Sequence, residues 1–215
     1  MKQLQPGDAL GDAIGQTFAQ LMTDIAKTID TTGRTEILNA VRSAISHLKE
    51  ATRYVTLLEN EDDRIWSFTG LVWFYQGQSL WTEAEAWAVG CCKFATDHFG
   101  DRHPSTASSL NNLALLYSLM GQYDRALPLY ESALEIKKSE LGDRHPDTAS
   151  SLNNLAILYY STNRLPKAAT MMSGAVSIFE ELLGPDHPNT ITVRDNLEVI
   201  QKTMAPSRSL TIANQ

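Results

Sequence analysis

Histidine, aspartate and cysteine are the residue types in this chain whose placement could support chemistry. His103, His145 and His187 each precede a proline and each follow an aspartate-bearing loop, Gly100-Asp101-Arg102, Gly142-Asp143-Arg144 and Gly184-Pro185-Asp186. Recurrent Asp and His could serve general acid–base catalysis or ligate zinc. The spacing argues against both. The three histidines stand 42 residues apart, so they fall on successive copies of one structural unit. Packed helices lie roughly 8–10 Å apart, whereas imidazoles sharing a zinc ion each bind it at about 2 Å. No nucleophile accompanies the Asp–His loops at a strand end or nucleophile elbow. Cys91 and Cys92 are the only cysteines, and adjacent residues do not make a disulfide framework. The expectation is a chain with no catalytic residues, no metal and no cofactor, in which the histidines anchor loops or cap helices.

The elements that carry these residues repeat. Gly100–Ser118 and Gly142–Tyr160 differ at three of 19 aligned positions, Ser105/Asp147, Leu115/Ile157 and Ser118/Tyr160, and a weaker copy runs from Gly184 to Glu198. Self-similarity at a fixed period of this size marks a stacked repeat architecture. Each unit reads as two antiparallel helices, A and B. In the second unit, A spans about 104–119, Gly121-Gln122 turns, and B spans about 123–140. Pro104, Pro146 and Pro188 suit the first position of helix A, where the missing N–H has no intrahelical partner to lose. Gly100, Gly142 and Gly184 close the preceding B helix with positive φ. Asn163 replaces the turn glycine in the third unit, and Asn enters the left-handed region readily. Pro128 lies early in helix B, where a kink is expected rather than a break.

Subtracting the period places Leu71, Tyr75, Ala84 and Cys91 of a divergent first unit under Leu113, Tyr117, Ala126 and Ala133. Cys91 thus takes a small-residue packing slot. The units span about 62–99, 104–141 and 146–183. A capping helix over 188–202 carries polar Arg194, Glu198 and Gln201 where earlier units carry packing residues. Residues 203–215 read as a flexible tail. Before the repeats, residues 1–10 read as an unstructured lead-in, and apolar spacing predicts helices over 12–29 and 35–58 with a loop at Asp30–Gly33 between them. Residues 1–60 match no later text. They form a cap on the first repeat, a degenerate hairpin or an oligomerisation element, and the cap is favoured.

The composition is that of a folded soluble chain, 43% hydrophobic and 20% charged. A net charge of −7 does not suit a protein that neutralises a phosphate backbone, so nucleic acid is not expected as a partner. The amino-terminal residues lack the apolar core of a signal peptide, and no apolar run is long enough to cross a bilayer. A cytoplasmic protein away from the membrane is expected.

The packing residues carry a family resemblance. Leu113-Ala114 with Tyr117 on helix A, and Ala126, Tyr130 and Ala133 on helix B, recur as Leu155-Ala156, Tyr159, Ala168 and Ala175. This order resembles the tetratricopeptide repeat (TPR). The 42-residue period, with Gly-Asp-x-His-Pro before Leu-Asn-Asn-Leu-Ala, looks like the repeats of kinesin light chain and of arrays attached to bacterial signalling NTPases. The resemblance covers about 62–201. It implies an all-α, right-handed superhelical solenoid of stacked antiparallel hairpins, with a concave groove lined by A helices in which family members commonly bind peptides. No Gly-x-x-x-x-Gly-Lys-Ser/Thr loop stands in residues 1–60 to carry an NTPase reading, and no enzyme activity is expected.

Helix geometry at about 100° per residue assigns the groove positions. Ser108, Asn111, Asn112 and Leu115 face it in the second unit, Ser150, Asn153, Asn154 and Ile157 in the third, and Asp195 and Asn196 on the capping helix. The first unit offers Trp66, Thr69, Gly70 and Trp73. An asparagine amide both donates and accepts, matching a peptide backbone. The competing possibilities are that the asparagines bond between neighbouring A helices, and that the helix at 35–58 covers the tryptophans. The function expected is a scaffold binding a peptide or protein partner in this groove. The alternative is self-association through residues 1–60, with the repeats as a rigid spacer.

Overall fold

The computed structural model of the protein describes residues 9–29, 39 and 41–205. Among these residues all regular structure is helical. The helices are α1 (Ala9–Ala26), α2 (Ile45–Ala51), α3 (Glu61–Gly77), α4 (Trp81–Phe99), α5 (Pro104–Leu119), α6 (Tyr123–Leu141), α7 (Pro146–Ser161), α8 (Leu165–Leu183) and α9 (Pro188–Met204). The chain divides into two compact units, residues 1–129 and 130–215, the division falling inside α6.

The 42-residue text builds its joints by one set of bonds. His103, His145 and His187 hold extended backbone at the N-caps of α5, α7 and α9. Each Nδ1 accepts the backbone N–H two residues on, from Ser105, Asp147 and Asn189 at 3.1, 3.1 and 3.2 Å. The Nδ1 lone pair thus satisfies a helix-end donor that would otherwise lack a partner. The following proline pre-sets the first helical φ. Thr106 Oγ1 and Thr148 Oγ1 donate back to the carbonyls of Gly100 and Gly142 at 2.7 and 2.8 Å. At Gly100 and Gly184, φ of 91° and 85° with ψ of 165° is a region essentially reserved for glycine. The hairpin turns place Gly121 and Asn163 at φ 71° and 57°, and Ser79 at 60° does the same work in the first hairpin. Pro128 lies inside α6 without ending it.

In the first unit, α3 and α4 form a hairpin, and α1 lies along α3. A core of Ala19, Val55, Leu58, Ile65, Phe68, Cys91 and Ala95 is packed by Tyr54, Trp87, Phe94 and Phe99. The α1–α3 contact includes a buried Thr23–Ser67 hydroxyl pair at 3.1 Å and the Lys27–Asp63 ion pair at 2.7 Å. Helix α1 starts at Ala9, earlier than the expected Asp12. The expected continuous helix over 35–58 is not what forms. Helix α2 ends at Ala51, and a turn leads to a 3₁₀ segment at Val55–Leu57. Thr52, Val55 and Thr56 are β-branched and poor helix formers, and Thr52 Oγ1 bonds the Lys49 carbonyl at 2.8 Å. The tighter turn lets Val55 and Leu58 both reach the core, each 1% exposed. The expected lead-in at 1–8, the loop at Asp30–Gly33 and most of the tail lie outside the described residues.

In the second unit, α7 and α8 form a hairpin and α9 packs on α8. Buried Tyr130, Ala133, Leu155, Ala156, Tyr159, Ala168, Met172 and Ala175 fill the repeat's packing slots, and Val193 and Ile200 seat the last helix. Arg194, Glu198 and Gln201 are exposed, and Arg194 pairs with Glu180 at 2.7 Å.

Candidate functional site

Helices α3, α5, α7 and α9 present the same register positions, and each unit uses them differently. In the first unit, Asp62, Trp66, Thr69 and Trp73 lie at i, i+4, i+7 and i+11 on α3, which puts them on one helical face. Opposite them on α5 stand Ser105, Ser108 and Asn112, and together with Ile65 they line a cleft of about 370 Å³. The two indoles meet edge to face, with ring centroids 5.4 Å apart and an interplanar angle of 80°. Trp66 and Trp73 are half-buried, and α5 provides the other side of their cleft. Leu115 is half-buried as well. Gly70 departs from expectation: it is buried, and a Cβ there would lie 2.6 Å from the Cβ of Ala26 on α1. It faces α1 because only glycine admits that approach.

In the second unit, Asn153 and Asn154 are half-buried, Ile157 is 45% exposed, and Ser150 and Asp195 are exposed. Asn153 Nδ2 donates to Asn154 Oδ1, and Asn196 Nδ2 donates to Asn153 Oδ1, both at 3.4 Å. An amide ladder therefore joins α7 and α9, but with bonds beyond the usual 2.7–3.2 Å range. Ser150 Oγ turns back to the Pro146 carbonyl at 3.1 Å.

The other reactive residue types serve structure. Cys91 is buried, and that burial pushes its thiol well above the ordinary range, which leaves it inert. Among the described residues no cluster of three or more His, Cys, Asp or Glu side chains could hold a metal ion, and no helix is long and apolar enough to cross a membrane. Tyr117 Oη donates to Glu85 at 3.0 Å, Arg125 reaches the same carboxylate at 2.8 Å, and its guanidinium lies 3.9 Å from the Tyr117 ring centroid. Burial, then the neighbouring Glu85, raises the Tyr117 phenol above its usual range. Tyr159 makes a sparser version, donating to Glu131 at 3.1 Å.

Three contributors escaped the sequence reading. Asp62, Ile65 and Ser105 line the cleft, and the i, i+4 relation of Asp62 to Trp66 was the signal for the first. Ser105 became visible only once α5 was seen beside α3.

Solved structures similar to this chain share its fold. BtubC (BKLC) from P. vanneervenii is 20% identical, with 95% of this chain and 96% of that one covered at a TM-score of 0.60. A kinesin light chain-like protein of Podospora anserina with nearly identical TPR-like repeats is 20% identical over 89% and 87%, at 0.63. The apo form of RapI is 20% identical over 78% of this chain and 45% of that one, at 0.62. No curated protein sequence matches the chain significantly. The sequence profile of the tetratricopeptide repeat matches residues 63–139 and 105–173, together just over half of the chain. With the joints, packing slots and hairpins in place, the chain belongs to the tetratricopeptide repeat family.

Proposed function

We propose that this protein is an interaction scaffold whose A-helix faces bind an extended segment of a protein partner. The observation that carries the reading is the placement of the amides. Asn112 lines the cleft of the first unit, and Asn154 takes the same register position, half-buried, beside exposed Ile157 in the second. Asparagine can pair a peptide N–H and C=O together.

The test is to recover a partner by pull-down from native lysate and compare wild type with an Asn112→Ala/Asn154→Ala variant. Each lost amide strands a backbone group of the bound segment, at about 1–3 kcal/mol. The double variant should then bind roughly 30-fold more weakly or worse. Its melt should hardly move, since alanine is the better helix former by up to about 0.7 kcal/mol. A sharp fall in melting temperature with affinity intact would make the asparagines a structural ladder.

A second reading rests on α1, where Ile14 and Leu21 are 49% and 57% exposed and flank Thr17 and Phe18 in a shallow depression. Self-association through this face predicts that Ile14→Glu/Leu21→Glu lowers the mass measured by light scattering. An unchanged mass excludes it.

A further inference from the structure

The cleft between α3 and α5 has the chemistry of a cation site. We propose that it takes a basic side chain, an arginine guanidinium or lysine ammonium, from the bound segment. This deepens the peptide-binding reading and, as a statement about a partner, rests on it.

Three observations meet there. The first is the aromatic pair: Trp66 and Trp73 stand as walls at 80°, centroids 5.4 Å apart. Tryptophan offers the strongest ring face to a cation, and contact requires an approach within about 6 Å. The second is charge. Three carboxylates occupy the first turn of α3, and two are engaged: Asp63 with Lys27 at 2.7 Å and Glu61 with His103 at 3.4 Å. Asp62, the one that lines the cleft, has no partner for its carboxylate among the described residues, and no Lys, Arg or His lines the cleft with it. The third is the polar wall. The Ser105, Ser108 and Thr69 hydroxyls and the Asn112 amide oxygen can all accept hydrogen bonds, and a guanidinium brings five donors to them. The cavity, about 370 Å³, is at the small end of ligand pockets and suits one side chain. An anionic group would meet Asp62. A neutral apolar group would gain nothing from that carboxylate, which stands exposed at the edge of the cleft.

The test uses the full chain and two small probes, N-acetyl-arginine methylamide and its uncharged isostere N-acetyl-citrulline methylamide. Indole N–H resonances of Trp66 and Trp73, assigned by single Trp→Phe variants, report occupancy separately from Trp81 and Trp87. The arginine probe should shift the Trp66 and Trp73 signals with saturation, and citrulline should bind about tenfold more weakly, the loss of a cation–π and ion-pair contact. Raising salt from about 50 to about 500 mM should weaken the arginine probe alone. Asp62→Asn should bind it about fivefold more weakly while both indole signals keep their native positions, and Asp62→Glu should restore part of the binding.

Equal binding of the two probes, or an Asp62→Asn variant that binds arginine like wild type, would overturn the cation site. Failure of the arginine probe to move either indole would do the same. In each case the peptide-binding reading is judged separately, by whether partner affinity still depends on Asn112 and Asn154. Arginine binding without such dependence would keep the cation site and remove the amide faces from the function.

Discussion

Helix α3 and helix α7 hold equivalent places in their hairpins, yet their register positions read Trp66, Thr69, Gly70, Trp73 in one and Ser150, Asn153, Asn154, Ile157 in the other. The packing side is common to both: Leu71 and Tyr75 match Leu155 and Tyr159, all buried. The difference follows from what lies beside each helix. Helix α3 carries α1, and Ala26 sits where an asparagine at position 70 would project. Helix α7 has the next A helix, α9, beside it as α3 has α5, and is bonded to it through Asn153 and Asn196. One hairpin plan thus yields two surfaces, a tryptophan-walled cleft and an amide-bearing face, through changes confined to positions that do not hold the hairpin together.

The largest break in this comparison is Gly70→Asn, which writes the α7 residue into α3. Replacing a mid-helix glycine gains a few tenths of a kcal/mol in helix propensity. The new Cβ would lie 2.6 Å from the Cβ and 3.0 Å from the Cα of Ala26, and the Cα cannot rotate away. Overpacking should win, with a loss of about 3 kcal/mol felt as separation of α1 from α3. Amide exchange should accelerate across α1 while the signals of α8 and α9 stay protected. The reciprocal Asn154→Gly should cost less, about 1 kcal/mol, through propensity and the loss of its side-chain bonds. Equal losses from the two changes would mean that Gly70 is not what admits α1.

The asymmetry of these two predictions follows the boundary of what the sequence could disclose. The 42-residue period, the proline and glycine positions and the tyrosine–alanine slots depend on contacts inside a repeating unit, so each copy states them again. The histidine caps were legible for that reason. The threonine bonds to Gly100 and Gly142 were equally regular but went unread. By contrast, the approach of α1 to Gly70 occurs once, between segments with no counterpart elsewhere, and no periodicity could announce it. The break after Ala51 is similar: the apolar spacing from Ile37 to Val55 fits a helix, and only the demand to bury both Val55 and Leu58 selects the tighter turn. At the cleft, the tryptophans were visible as groove residues, but their partners on α5 needed the stacking of two A helices.

A middle-sized effect comes from Lys137, which stands at the position held by Phe179 in the next repeat. Its side chain is 6% exposed, and burial lowers the amine's pKa, with Asp147 acting the other way. The unfolded chain therefore holds the proton more tightly than the folded one. Stability should rise with pH from the lowered folded value to the unfolded value of about 10.4, and be smallest below both, where the buried amine stays charged. Lys137→Met keeps the stem and removes the charge. It should stabilise the protein by about 1 kcal/mol at neutral pH, or about 2–4 °C in melting temperature for a chain of this size. The gap between variant and wild type should shrink between pH 7 and pH 10. A gap independent of pH would place the amine in water, with only its stem buried.

The smallest effect concerns the two tyrosines. Tyr117 and Tyr159 occupy the same slot, but their hydroxyls are held differently. Tyr117 shares the Glu85 carboxylate with Arg125, whose guanidinium also lies against the ring. Tyr159 has one carboxylate bond, to Glu131, and its cations stand further off, with Lys167 5.4 Å and Arg164 5.9 Å from the ring centroid. Phenylalanine preserves the buried ring in both places, so the substitution isolates the hydroxyl. Glu85 and Arg125 are partly exposed, and solvent can replace some of what they lose. Tyr117→Phe should cost about 1 kcal/mol and Tyr159→Phe about 0.5 kcal/mol. Chemical denaturation of both variants provides the check, and raising salt should narrow the difference between them, because only the larger loss includes a shared ion pair. If the two losses are equal at low salt, the bond from hydroxyl to carboxylate is the whole of the clasp, and Arg125 adds nothing to it.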